Sequence, residues 1–133
     1  MGIVLSIGAV FLIMNVATFV AYGSLAAIMG LEPPANGSPG QFFASVLVVK
    51  LGLASGFVAF YHVARNIWYP RLMQYALIWW AMFAVIEFGQ AIVPNYSWAD
   101  AFGGIIAEAI YFPLAALAMR RLLGSSETTA ASA

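Results

Sequence analysis

Cysteine is absent and histidine occurs once, at His62. The first absence excludes disulfides, thiolate metal sites and cysteine nucleophiles, and the second excludes a histidine-cluster metal centre within one chain. Charge is scarce too: 8% of the residues are Asp, Glu, Lys or Arg, against roughly a quarter in soluble domains. The formal net charge is zero and no basic tract occurs, so nucleic acid is not an expected partner. Glycine-rich phosphate loops, metal-ligand repeats and nucleophile-base motifs are missing as well, and a soluble-type enzyme site has no support.

What is present is apolar. With 64% hydrophobic residues, the chain reads as four stretches, about 2–29, 41–64, 72–93 and 101–119, each about long enough to cross a hydrocarbon core of roughly 30 Å. The fold class predicted is all-α, an integral membrane four-helix bundle occupying 1–123 as a single domain. The lipid bilayer is its expected solvent, and a polar small-residue tail over 124–133 reads as disordered. No Lys or Arg precedes the first stretch, and its apolar run exceeds that of a cleaved signal, so it is expected to remain as a span.

The connections carry the punctuation. Residues 30–40, GLEPPANGSPG, hold three prolines and three glycines and read as a loop throughout. RNIWYPR (65–71) and PNYSWAD (94–100) are short turns with aromatics suited to a headgroup layer, and Pro113 predicts a bend in the fourth span. Arg65, Arg71, Arg120 and Arg121 all fall on one face of a four-span chain, whereas Glu32 and Asp100 fall on the other. By the positive-inside rule both termini are cytoplasmic, and loops 30–40 and 94–100 lie on the non-cytoplasmic side.

Three charges remain inside the spans: Lys50, Glu87 and Glu108. At 1.5 Å per residue, each lies roughly 9 to 14 Å below the outer boundary. A charge near the centre of a spanning helix costs roughly 2.5 to 3.5 kcal/mol, so pairing is expected. One lysine cannot neutralise two carboxylates, and the surplus carboxyl must hold a proton or meet water. Spacing nominates Gln90, three after Glu87, and Tyr111, three after Glu108, as supporting polar groups. The stripe Asn15, Thr18, Tyr22 on one face of the first span joins them, with interhelical packing as its plainer role. Trp79, Trp80 and Phe83 read as lipid-facing or core packing.

His62 lies near the arginine-bearing boundary, where an interfacial histidine is ordinary; its sharper role is an axial haem ligand. The segment VKLGLASGFVAFYH (49–62) resembles one helix of the HemJ-type protoporphyrinogen oxidases and of CopD-like copper-resistance membrane proteins. That resemblance covers about one-tenth of the chain, and the additional histidines of the first family are missing here, so neither family is adopted. No metal and no cofactor is predicted, haem or a bound lipid being the candidates if one is held.

Three functions fit these residues. The first is a transporter or channel-like module for protons, ions or a small solute, with Glu87 and Glu108 as exchanging groups and Lys50 as counter-charge. The second is an accessory or assembly subunit of a larger membrane complex. The third is a membrane enzyme or cofactor binder acting on a lipid, quinone or haem, with a catalytic residue that the sequence does not identify. A homo-oligomer or larger complex is expected from the small loops and abundant small and aromatic residues, including the Gly52/Gly56 step.

Overall fold

The computed structural model describes residues 2–30, 38–94 and 96–124, and these are helical almost throughout. The elements are α1 (Gly2–Met29), α2 (Pro39–Val63), a single turn α3 (Arg65–Trp68), α4 (Leu72–Ala91) and α5 (Trp98–Leu123). Four of them, α1, α2, α4 and α5, are long and apolar enough to cross a membrane.

Two helix starts come earlier than the apolar pattern indicates, and in both cases a serine is the cause. The Ser38 hydroxyl accepts from the Gln41 amide at 3.2 Å while Gln41 Oε1 accepts from the Ser38 amide at 3.3 Å. With Pro39 in the first turn, this capping box brings 39–40 into α2. The expected loop over 30–40 is corrected accordingly, and its residues 31–37 lie outside the described ones. Likewise Ser97 Oγ accepts from the Asp100 amide at 3.0 Å and starts α5 at Trp98. At its far end α5 continues to Leu123 and stops at Gly124, whose φ is +63°. That left-handed backbone suits glycine at a helix end. Of the expected disordered tail, 125–133 lie outside the described residues.

α5 is the most buried of the four long helices and packs between α1 and α4, while α2 packs on α1. Small residues make this close approach possible. A Cβ at Gly103 would already touch the Tyr22 ring at 3.5 Å, and Ala107, Ala115 and Ala116 are buried further along α5. Pro113 lies within α5 without ending it, leaving the Ala109 carbonyl without its helical donor. Rings close the bundle between α2 and its neighbours α4 and α5: Phe57 packs, tilted or edge-on, against Tyr75 at 4.8 Å, Trp79 at 5.4 Å and Phe112 at 5.4 Å between centroids. Outward residues such as Val4, Val20, Val63, Val85 and Ile92 are exposed, as a lipid-facing surface requires and a water-facing one would not tolerate.

The two ends differ in charge. Arg65 Nη1 donates to the Leu123 carbonyl at 3.1 Å, and the Arg120 guanidinium lies 5.0 Å from the Tyr69 ring centre. Arg71 precedes α4. Tyr96 and Asp100 are at the opposite end, where the Tyr22 hydroxyl donates to the Asp100 carbonyl at 2.8 Å.

Candidate functional site

The interior face of α5 carries Gly104, Glu108 and Tyr111 at spacings of four and three, so they stack along one side of the helix. Glu108 is 4% exposed and Tyr111 fully buried. Across from them, Lys50 of α2 donates from Nζ to the Tyr111 hydroxyl at 3.1 Å and stands 4.2 Å from the centre of its ring. The Tyr111 hydroxyl in turn donates to Glu108 Oε1 over a long 3.5 Å. The tyrosine is therefore interposed between the ammonium and the carboxyl. Spacing alone nominated Tyr111 as support, and the structure makes it the link. Glu108 Oε2 is buried with no hydrogen-bond partner among the described residues.

Glu87 reaches the same face of α5 one turn earlier. A Cβ built on Gly104 would lie 2.7 Å from Glu87 Cδ, so the carboxyl occupies the notch that the missing side chain leaves. Glu87 Oε2 accepts from the Tyr96 hydroxyl at 2.5 Å. Lys50 lies within Coulombic reach of both Glu108 and Glu87.

At the Asp100 end, the Tyr96 hydroxyl stands between Glu87 and Tyr22. Burial first, then its hydrogen bond to Glu87 and the neighbouring Tyr22 phenol, hold this phenol above the usual tyrosine range, in its neutral form. Tyr96 and Gly104 were not among the residues nominated by spacing. Tyr96 reads from sequence as an interfacial aromatic in a turn, and only the fold of that turn returns its hydroxyl to the bundle. Gly104 reads from sequence as one of the small residues, with Gly103 and Ala107, that could border a slot for an apolar molecule, and the signal for its role here is its place one turn before Glu108.

The remaining nominees separate. Asn15 Nδ2 donates to the Phe11 carbonyl at 2.8 Å, and its buried Oδ1 has no partner. Thr18 Oγ1 is buried and unpartnered too, on the stripe whose Tyr22 faces α5. Gln90 is exposed and is not brought to Glu87. The inward stripe of α4 continues from Glu87 to the buried Ala91, four residues on, and a step of three turns Gln90 away from it. His62 is half-buried beside Arg65 with Nδ1 unpartnered, about 18 Å along α2 from Lys50 by helical rise. Among the described residues no group of three or more His, Asp or Glu is placed to hold a metal ion.

Between the charged residues and the arginine end lies an aromatic layer. Phe57, Tyr75, Trp79, Phe83 and Phe112 form it, with Trp79 and Phe83 partly buried against the core. The Tyr75 hydroxyl donates to the Phe57 carbonyl and ties α4 to α2. The arrangement is thus polar toward Tyr96 and sealed by rings toward the arginines. Comparison with protein families, curated proteins and solved structures finds no match.

Proposed function

We propose that this chain is a small membrane transport module that moves protons, or a small cation in their place, along the column Glu87, Glu108, Tyr111 and Lys50. The observation that carries the reading is Glu108, 4% exposed, with one oxygen toward the Lys50–Tyr111 pair and the other unpartnered. Two carboxylates against one ammonium leave a surplus negative charge in a region where an uncompensated charge is costly. A mobile proton or cation removes that surplus, and its arrival and departure are the transport event.

Two hydrogen-bonded groups, Tyr96 with Glu87 and Lys50 with Tyr111 and Glu108, mark the ends of the path. Tyr96 and Glu87 form the entry, half-exposed at the Asp100 end. The Gly104 notch brings the Glu87 carboxyl onto α5 one turn before Glu108, and a water between the two carboxyls would carry the proton from one to the other. Lys50, held by Tyr111, compensates whichever carboxyl is ionised. By the positive-inside rule the arginine end is cytoplasmic and the entry faces outward. The aromatic layer around Phe57 is the inner barrier, and its opening is the step that completes passage.

The test is proton flux into liposomes containing the purified protein, under an imposed pH gradient, for the wild type and Glu108→Gln. The wild type is expected to conduct and Glu108→Gln to lose at least about tenfold, as for removal of a positioned proton-transfer group. Equal flux in both proteins, or none in the wild type with either protons or sodium ions, contradicts the reading and leaves the charges as a helix-ordering device.

A further inference from the structure

At the opposite end from the charged column, α2 and α3 present buried side-chain donors that find no acceptor among the described residues, although the Nη1 of one of them, Arg65, donates to the Leu123 carbonyl at 3.1 Å. Tyr61 is fully buried, yet its hydroxyl has no partner. Arg65 Nε and Trp68 Nε1 are buried and unpartnered as well. Tyr61 belongs to the last turn of α2 and Arg65 and Trp68 to α3, and the Arg65 bond to Leu123 brings that guanidinium to the end of α5, one turn from Arg120. The Arg65 and Arg120 guanidiniums lie within Coulombic reach of the Tyr61 hydroxyl. Unpaired buried donors are rare because each forfeits its hydrogen bonds to water. Among the described residues, the carboxylates Glu87, Asp100 and Glu108 all belong to the other half of the bundle, so none balances these guanidiniums.

We propose that Arg65, Arg120 and Tyr61 bind the phosphate group of an anionic membrane lipid. A phosphate offers several acceptor oxygens and a negative charge, the complement of two guanidinium forks and a phenol hydroxyl. The source is a lipid because the donors lie where apolar helices end. Phe60 (56% exposed), Val63 (86%) and Ile67 (58%) adjoin them and offer a surface for acyl chains. Basic pockets between spans at the cytoplasmic boundary suit such headgroups in general. The site is separate from the Lys50 column and does not depend on the transport reading.

The experiment is native mass spectrometry of the intact protein in mild detergent, titrated with phosphatidylglycerol, with phosphatidylcholine of the same chains, and with inorganic phosphate. One phosphatidylglycerol is expected to bind in preference to phosphatidylcholine. The double variant Arg65→Gln/Arg120→Gln is expected to bind it about 30-fold more weakly, from about 1 kcal/mol per basic residue and 1.4 kcal/mol per factor of ten. Tyr61→Phe, which keeps the ring and the fold, should lose about tenfold, as for one hydrogen bond to a charged group. Arg71→Gln, at the same end but outside the site, should bind as the wild type does. Equal retention of both lipids, no loss in Tyr61→Phe, or an equal loss in Arg71→Gln overturns the site. Inorganic phosphate binding as tightly as phosphatidylglycerol overturns the lipid as its source.

Discussion

Glycine 104 shows how a missing side chain can determine a charged contact. Because an added Cβ would meet the Glu87 carboxyl at 2.7 Å, Gly104→Ala is expected to displace Glu87 while leaving stability nearly unchanged, since a flexible side-chain end is what must move. Flux should fall in Gly104→Ala and stay at the wild-type level in Gly52→Ala, where nothing lies within 4 Å; equal flux in the two would show that the notch has no role. Tyr96 makes a prediction about pH. Its phenol is raised above 10.0 by burial and its partners, so below pH 10.0 the folded and unfolded chains carry the same proton. Above that, the unfolded chain releases a proton that the folded one keeps, and stability falls as pH rises. Thermal unfolding from about pH 8 to about pH 11 should show this fall, less steeply in Tyr96→Phe. At this scale the ionisable residues were legible, because a charge inside an apolar run is conspicuous. Tyr96 was not, since the path of a turn leaves no trace in hydrophobic pattern. Gln90 satisfied the spacing rule but sits on the wrong side of α4, because that rule specifies adjacency on a helix and not which face points inward.

Among the elements, α5 and α2 set the character of the site. α5 supplies Glu108, Tyr111 and the Gly104 notch, and its glycines and alanines let α1 and α4 close on it. Its apolar core was evident from sequence. Its ends were not, because Ser97 and Gly124 define them through a hydrogen bond and a backbone angle. α2 contributes Lys50 and, two turns on, Phe57, the ring shared by Tyr75, Trp79 and Phe112. Phe57→Ala should cost about 3 to 5 kcal/mol of unfolding free energy, as for other buried aromatics truncated to alanine. In liposomes the same variant should leak protons faster than the wild type, because it thins the layer that closes the column. Flux at or below the wild-type rate would place the barrier elsewhere.

For the whole molecule, four membrane-length helices enclose one polar column and present apolar residues outward. That much follows from composition and run length, since an all-apolar surface and a chain with 8% charge have few folded solutions outside lipid. The neighbour relations do not follow from it: α5 between α1 and α4, and α2 meeting α4 through rings, depend on small-residue contacts that each span could have offered to any other. Those neighbour relations bring Lys50, Tyr111 and Glu108 into line, and the central claim is that these three act as one linked unit. Its most direct test is a double-mutant cycle on thermal unfolding in detergent, using Lys50→Met, Glu108→Gln and the pair. Lys50→Met alone leaves the buried Glu108 carboxyl without its counter-charge and is expected to lower the unfolding temperature, and adding Glu108→Gln should recover most of the loss. If the two substitutions add independently, with a coupling below about 0.5 kcal/mol, the column is not a unit and the account built on it fails.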